Sequence, residues 1–309
     1  MITKSPTDCK SLSRTLLFTS SARVAWGHLL KAINIQPPYC VLLPSYIGFT
    51  EREGSGVFDP ISETNTLFKF YPLDEKLAVD FDKFDEMLQS EYVKVALVIH
   101  YFGICQNDVI KISELCKKND VLLVEDCAHA FQLGLANQKL GIVGDFSFYS
   151  LHKYLATNSG GILQVNNPIY QLAEVSEEQQ IDESVLKQYI ITDIQAVADI
   201  RKVNYLKYQS MLQNIPGIEI LYTLKDAEVP HNFPIKVKNG MREKLYFYLM
   251  NKEIPTIALY YRLISEINEE EFPLSFKISN EILNLPVHQD TTLEDIECIC
   301  SAIRQFFTS

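Results

Sequence analysis

Residues 93–126 read VKVALVIHYFGICQNDVIKISELCKKNDVLLVED, and this stretch decides the fold. It opens with VKVALVI, a nearly continuous β-branched and apolar run that is typical of a parallel strand covered on both faces. Apolar residues then recur at helical spacing over residues 107–118, and a second buried run follows at 121–124. This order predicts a right-handed βαβ unit, whose strands end at the sheet edge where open α/β sheets bind ligands.

The flanking sequence extends this pattern in both directions. We expect a helix to start at Ser20 or Ser21, because small hydroxyl residues favour helix N-termini. Short apolar runs predict strands at residues 40–43 and 66–71, and one or two long helices are expected over 181–211.

Pro216 and Gly217 interrupt the chain, and we place a domain boundary there. Residues 1–215 would form a large domain and residues 216–309 a smaller α+β domain. The predicted elements of the smaller domain are strands at 233–237 and near 256–260 and helices at 242–251 and 292–307. Thr292 and Asp295 fit a capping pattern at the start of the last helix.

Composition excludes several classes of protein. The formal net charge of -11, without a basic cluster, argues against a nucleic-acid partner. The seven cysteines are odd in number and lack the paired spacing of a metal site, which favours reduced thiols and predicts no metal. No apolar run is long enough to cross a membrane, and the start of the chain lacks the apolar stretch of a secretory signal. We therefore expect a cytoplasmic protein without a membrane partner.

An acid and a lysine stand at positions that suggest cofactor chemistry. Asp126 follows the second buried run, and Lys153 comes 27 residues later, before Gly160 and Gly161. A carboxylate at a strand end can pair with a protonated ring nitrogen and keep the ring an electron sink, while a lysine supplies an amine for a carbonyl. Such a lysine must be partly desolvated, or near another cation, to be neutral.

Four blocks in this order resemble the DegT-type (DegT/DnrJ/StrS) sugar aminotransferases, a family of the fold-type I superfamily that depends on pyridoxal phosphate. They are SSARVAW at 20–26, VLLPSY at 41–46, VEDCAHA at 124–130 and GDFSFYSLHKYLATNSGG at 144–161. The resemblance implies an α/β fold with a large three-layer αβα domain, a mostly parallel sheet and a smaller C-terminal α+β domain. It also implies pyridoxal 5'-phosphate as the cofactor and a homodimer.

The resemblance further implies a role for each matching residue. Lys153 would bind the cofactor covalently and shuttle protons, Asp126 would pair with the pyridine nitrogen, and His129 would lie near the ring and its 3-hydroxyl. Further cofactor contacts would come from a phosphate-binding helix start, from hydroxyls near the lysine, and from an aromatic ring. These contacts are Ser21, Ala22, Arg23, Ser150, Ser147 and Tyr46.

Some positions depart from the family pattern or fall outside the predicted site. Gly48 stands where the family often has an aromatic residue that stacks on the cofactor ring, so Phe49 or Tyr46 would have to substitute. The tripeptide at 54–56 is interpreted as a turn, and the Tyr-Tyr-Arg cluster at 260–262 as packing outside the site. His100 is a secondary candidate, because a structural histidine is equally compatible with its position.

The favoured function is transfer of an amino group from an amino acid, expected to be glutamate, to a keto sugar linked to a nucleotide. A related dehydratase would carry histidine in place of the lysine. Lys153 occupies that position when counted back from Gly160, whereas His152 occupies it when counted forward from Ser147. A third interpretation is a cofactor-binding or regulatory protein without turnover, since fold alone does not establish activity.

Overall fold

A computed structural model describes residues 14–89 and 92–308. A seven-stranded sheet forms its centre, with strand order β1-β7-β6-β5-β4-β2-β3. Only β7 runs antiparallel to its neighbours, so the sheet is mostly parallel. The strands are β1 (Thr15–Thr19), β2 (Cys40–Pro44), β3 (Leu67–Tyr71), β4 (Val93–Ile99), β5 (Leu122–Cys127), β6 (Phe146–Ser150) and β7 (Gly161–Val165).

Helices connect these strands and cover the sheet. Every residue of β2, β6 and β7 is buried, as the layered arrangement requires. The helices before and between these strands, and those that lead out of the sheet, are α1 (Ala22–Ile33), α2 (Phe58–Glu63), α3 (Phe81–Leu88), α4 (Val109–Lys118), α5 (Glu183–Ile191) and α6 (Ile194–Leu212).

The C-terminal part forms a second, three-stranded antiparallel sheet of order β10-β9-β8. Its strands are β8 (Ile218–Ile220), β9 (Asn232–Val237) and β10 (Ile282–Pro286), and its helices are α7 (Arg242–Met250), α8 (Pro273–Glu281) and α9 (Leu293–Thr308). Helix α6 packs on α9 and contacts β8 and β9, although it precedes Pro216. The domain boundary at that residue stays a prediction.

Most of the predicted elements are confirmed. The βαβ unit is formed by β4, α4 and β5, and β4 pairs with β5 in parallel. Helix α1 begins directly after its N-cap Ser21, as expected. Helix α9 follows a capping box in which the amide of Thr292 donates to Asp295 and the amide of Asp295 donates to Thr292.

The predicted strand near 256–260 is wrong. Only Ile257 makes a β-bridge there, with Asn284, and Tyr260 has a left-handed backbone with φ of 61°. These residues are only partly buried or exposed, and they line the cavity as an irregular segment without strand pairing. In the part of the chain that the structure describes, no helix is long and apolar enough to cross a membrane.

Candidate active site

A cavity of about 990 Å³ opens at the carboxyl edge of the large sheet. Ile99 at the end of β4, Asp126 in β5 and Ser150 at the end of β6 line its base, together with the start of α1. The opposite wall comes from α7 and from residues 256–261. The cavity therefore lies where the topology of an open α/β sheet predicts a ligand site.

Asp126 and Lys153 meet at the base of this cavity. One carboxylate oxygen of Asp126, Oδ1, accepts a hydrogen bond of 2.8 Å from the amide of Ala128, which fixes its orientation. Among the described residues, the Nζ of Lys153 donates no hydrogen bond and forms no ion pair within 4.0 Å. Both groups therefore present polar atoms to a ligand in the cavity.

Burial shifts the pKa of both groups toward neutral pH, because it disfavours their charged forms. It raises the pKa of Asp126 to about 6, although the Ala128 amide and the charge of Lys153 oppose the shift. It lowers the pKa of Lys153 to about 8, against the opposing charges of Asp126 and Glu53. The amine of Lys153 is thus neutral far more often than that of a lysine in water. A cationic ligand group next to Asp126 would favour the ionised form of its carboxylate.

His129 lines the same cavity and stacks on His231, which precedes β9. The two ring centroids are 4.7 Å apart and the planes are inclined by 12°. Burial and the nearby charge of Lys153 hold the pKa of His129 well below its usual range, so its ring is neutral. Its buried Nδ1 has no hydrogen-bond partner among the residues that the structure describes. Because orphaned buried polar atoms are rare, this nitrogen suits a polar ligand atom.

The start of α1 forms a second side of the cavity. Ser21, Ala22 and Arg23 all line it, and the amides of a first helical turn lack intrahelical partners. The Ser21 hydroxyl accepts from the amide of Val24 at 3.2 Å and can still donate its own hydrogen. Gly161 lies directly against this turn, where a Cβ atom would clash with Ser21 and Ala22. This geometry suits an anion such as phosphate.

Several of the residues singled out from the sequence lie elsewhere or are already engaged. Ser147 points to the other face of β6 and donates to the carbonyl of Gly141 at 2.8 Å, so it does not line the cavity. Tyr46 is also outside the lining and is buried beneath Tyr260. The guanidinium of Arg23 pairs with Asp59 at 3.1 Å, which leaves its backbone as the part that faces a ligand.

The secondary candidate His100 supports the site from behind. It is buried and pairs with Glu125 at 2.8 Å, one residue before Asp126. Glu125 also accepts hydrogen bonds from the amides of Gly141, Val143 and Gly144. Although burial opposes the shift, the bond to His100 and these amides hold the pKa of Glu125 below its usual value. This network fixes the end of β5 that carries Asp126.

A buried arginine of α6, Arg201, holds the lysine segment in place. Its Nη2 donates to the carbonyl of Lys153 at 2.8 Å, and its guanidinium carbon lies 4.2 Å from the ring centre of Tyr154. The Tyr154 hydroxyl donates in turn to the carbonyl of His129 at 2.6 Å. Arg201 escapes sequence reasoning because it bonds the main-chain carbonyls of Lys153 and Pro230, which any residue supplies, and the side chain of Gln289, which lies far away in the sequence.

Two other parts of the cavity were misjudged or missed from the sequence. Thr50 and Gly54 exchange backbone hydrogen bonds around a turn at residues 51–53, so the turn lies just before the predicted tripeptide, and residues 54–56 line the cavity. Tyr260 and Tyr261 line it too, so their interpretation as packing outside the site is wrong. No local pattern separates a packed aromatic pair from one that lines a cavity, because the cavity is formed with residues distant in the chain.

The sequence also matches a known family over nearly its whole length. Residues 15–189 and 186–304 match the DegT/DnrJ/EryC1/StrS aminotransferase family. The chain belongs to this family. The predictions of the family, of its α/β fold and of an aminotransferase are confirmed.

Two curated relatives of this aminotransferase act on nucleotide-linked sugars. The dTDP-3-amino-3,6-dideoxy-alpha-D-galactopyranose transaminase of Aneurinibacillus thermoaerophilus is 27% identical over 265 residues, which are 74% of this chain and 69% of that protein. The GDP-perosamine synthase of Vibrio cholerae is 24% identical over 255 residues, 71% of this chain and 68% of that protein.

Solved structures share the fold at low identity. The aminotransferase TlmJ from Streptoalloteichus hindustanus superposes with a TM-score of 0.78 at 21% identity and covers 94% of this chain and 85% of its own. Spr1654 from Streptococcus pneumoniae in its PLP form superposes with a TM-score of 0.81 at 15% identity, covering 95% and 87%. The family thus implies pyridoxal phosphate as cofactor.

The residues of the cavity fit that cofactor. Asp126 offers a carboxylate for a ring nitrogen, and the orphaned Nδ1 of His129 offers a partner for a hydroxyl. The start of α1 offers amides and a hydroxyl for a phosphate, and Lys153 offers a free amine. Ala128 completes the base between Asp126 and His129, and its short side chain leaves room for a flat ring.

Proposed function

We propose that this aminotransferase binds pyridoxal phosphate at Lys153 and transfers an amino group from an amino acid to a keto sugar carried by a nucleotide. The observation that carries the proposal is the meeting of Lys153, Asp126 and the start of α1 in one cavity. When bound, the cofactor supplies a carbonyl that reacts with amines and a ring that accepts the electrons released at the substrate carbon.

Lys153 has two tasks in this proposal. Its amine attaches the cofactor covalently, which requires the neutral form that burial favours. When not bonded to the cofactor, the same amine would take up and release the proton that the reaction moves, and a pKa of about 8 suits both near neutral pH. Arg201 keeps the backbone of Lys153 in position throughout.

Asp126 and His129 hold the cofactor ring. Ionised Asp126 would accept a hydrogen bond from the ring nitrogen and keep that nitrogen protonated. The Ala128 amide and the Glu125 network behind it hold this carboxylate in one orientation. His129, neutral because burial disfavours its charge, would make a hydrogen bond through Nδ1.

The size and the lining of the cavity support the proposal of an acceptor larger than an amino acid. A volume of about 990 Å³ lies near the upper end of the usual range for small-molecule sites, about 300–1,000 Å³. Tyr246, Phe247 and Tyr261 contribute aromatic rings at this wall, on which a base or sugar can pack. Arg52 lines the cavity and forms no ion pair among the residues that the structure describes, so it is available for a phosphate.

The position of the lysine favours transfer over the dehydratase alternative. Lys153 and Asp126 line the same cavity, and the charge of Lys153 opposes the rise in the pKa of Asp126. His152 lines the same cavity, but its Nδ1 is within 3.2 Å of the Ser150 hydroxyl. These placements support counting the motif back from Gly160, which gives Lys153 the covalent role.

We also propose a cytoplasmic homodimer. Exposed apolar side chains on α5 and α6 support the dimer, since such side chains favour an interface; they are Ile190, Ile191, Ile200, Val203 and Leu206. The six cysteines in the described part of the chain are all unpaired, which fits a reducing compartment. Light scattering of the purified protein at two concentrations tests the dimer.

Activity on a defined substrate pair tests the proposed function. The protein, loaded with pyridoxal phosphate, is mixed with glutamate and a dTDP-linked keto sugar, and the sugar product is followed by mass spectrometry. We expect an amino sugar to form with one equivalent of 2-oxoglutarate, and Lys153→Ala to abolish both. Lys139→Ala removes an exposed lysine outside the cavity and serves as the matched control. Equal product from Lys153→Ala would refute the proposal.

A further inference from the structure

Tyr260 lies in the wall of the cavity opposite the large sheet and has an unusual backbone conformation. Its φ of 61° lies in the left-handed region, which bulky residues rarely adopt. Such strain persists only where the surroundings impose it, and it concentrates at functional sites. The neighbouring chain is fixed on both sides, because Ile257 bridges to Asn284 and Gly48 bridges to Leu263. The Tyr260 carbonyl also accepts from the Ser279 hydroxyl at 2.7 Å.

The ring of Tyr260 fills the space that Gly48 leaves open. A Cβ atom built on Gly48 would lie 2.6 Å from Cδ1 of this ring, a distance that real side chains do not show, and at a tight 3.1 Å from Cε1. Only glycine at position 48 therefore admits the ring. The large sheet provides the gap after β2, and the C-terminal part of the chain provides the aromatic group.

The same ring lies beside the two groups that would hold the cofactor ring. Its centroid is 5.8 Å from that of His129, at an interplanar angle of 67°. Asp126 and Tyr260 both line the cavity; burial raises the pKa of Tyr260 and the charge of Asp126 raises it further, so its hydroxyl stays protonated. A flat ring bound between Asp126 and His129 would therefore lie alongside Tyr260.

A rigid aromatic cluster holds Tyr260 from behind. Tyr46 is inclined to it by 34° at 5.2 Å, Tyr101 meets it edge-on at 5.6 Å, and Phe102 meets it edge-on at 6.0 Å. The Tyr101 hydroxyl in turn donates to the carbonyl of Tyr46 at 2.6 Å. This support limits the rotation of the ring and presents it to the cavity.

We infer that Tyr260 is the aromatic platform for the pyridine ring of the cofactor, delivered from the C-terminal part into a gap that Gly48 creates. The inference rests on the proposed binding of pyridoxal phosphate. Aromatic rings in offset contact attract each other beyond the effect of burial alone, and a pyridinium ring strengthens the attraction to an electron-rich phenol. The ring, and not the hydroxyl, carries the effect.

The test measures cofactor affinity and absorbance, and it does not depend on turnover. Wild type, Tyr260→Ala and Tyr260→Phe are titrated with pyridoxal phosphate, and the visible band of the bound cofactor is recorded. We expect Tyr260→Ala to weaken binding on the order of 10-fold and to shift the band, whereas Tyr260→Phe stays within about 2-fold of wild type. Tyr39→Ala, which removes an exposed tyrosine remote from the cavity, controls for loss of any tyrosine.

A reciprocal exchange separates a local platform from general damage. Gly48→Phe alone should weaken binding, because its side chain meets the Tyr260 ring. Gly48→Phe combined with Tyr260→Ala should recover affinity relative to either single variant, because one ring then fills the shared space. Recovery shows that the double variant folds, and thermal unfolding of each variant is measured alongside.

Two results would overturn the inference. Unchanged or tighter binding by Tyr260→Ala would mean that the ring contributes nothing or obstructs the cofactor. Failure of the double variant to bind better than the single ones would mean that position 48 and the Tyr260 ring do not share one role. Absence of binding by wild type would instead refute the proposed function, so the two failures are distinguishable.

Discussion

At the scale of single residues, the chemistry depends on how burial changes two ionisable groups. Asp126 and Lys153 could be predicted from the sequence as a pair, because the order of residues alone shows an acid at a strand end and a lysine before two glycines. Their altered pKa values could not, since these depend on burial by residues from distant segments. The neutral state of His129 and its stacking on His231 could not be predicted from the sequence either.

The covalent attachment of cofactor should depend on pH through Lys153. At pH 7 a lysine with a pKa near 8 is about one-tenth neutral, whereas one at 10.5 is neutral in only about one molecule per several thousand. Because the neutral amine reacts, the rate of attachment should rise with pH and level off above about 8. Stopped-flow absorbance from pH 6 to 10 measures this, and a midpoint near 10 would contradict it.

Asp126→Asn should remove the charge that keeps the ring nitrogen protonated. We expect turnover to fall by on the order of 100-fold, a typical loss for one electrostatic group in an active site. The structure of the site should survive, because an amide oxygen can still accept from Ala128. Steady-state kinetics measure the effect. Asp226→Asn, at an exposed position, should turn over as wild type does, and equal rates for the two variants would count against the assigned role.

At the scale of elements, the start of α1 carries the anion site. The sequence predicted that hydroxyl residues open this helix, at Ser20 or Ser21, and the structure shows that Ser21 is its cap. Ser147 was misplaced because both serines of β6 fit the motif equally well, and only the alternation of strand faces separates them. The strand predicted near 256–260 failed because that segment is shaped by contacts with Gly48, which follows β2, and with β10, and no local pattern records these contacts.

Gly161→Ala should disturb α1 directly, because its methyl group would press on Ser21 and Ala22. We expect a loss of about 1–3 kcal/mol in the free energy of unfolding, as for other overpacked sites, together with weaker cofactor binding. Gly27→Ala lies within α1 and makes only ordinary contact with Pro60, so it should hold or raise stability. Urea denaturation compares the two, and equal stability would contradict the close packing described.

At the scale of the whole molecule, the site forms where two sheets and α6 come together. The large sheet supplies Asp126, while the segment between α7 and α8 supplies Tyr260 and helix α6 supplies Arg201. The sequence predicted a large N-terminal part and a smaller C-terminal part, but it did not predict that the C-terminal part completes the cavity. Contacts between segments 100 residues apart leave no periodic signal.

Arg201→Gln should loosen this assembly. The variant loses a charged group that bonds the carbonyls of Lys153 and Pro230 and packs on Tyr154. We expect the free energy of unfolding to fall by about 2 kcal/mol or more, since buried carbonyls lose a partner. Lys202→Gln, on the same helix, replaces a side chain bonded to an exposed carbonyl and should change stability by less than about 0.5 kcal/mol. A comparable loss of stability in the Arg201→Gln and Lys202→Gln variants would contradict the proposed positioning role of Arg201.

The central claim is that Lys153 is the residue to which the cofactor attaches. The protein loaded with pyridoxal phosphate is reduced with borohydride, digested and sequenced by mass spectrometry, which locates the phosphopyridoxyl group on one side chain. The account predicts modification of Lys153 alone, and no modification of this segment in Lys153→Ala. Modification of another lysine, or an unmodified Lys153 in protein that binds the cofactor, would contradict it.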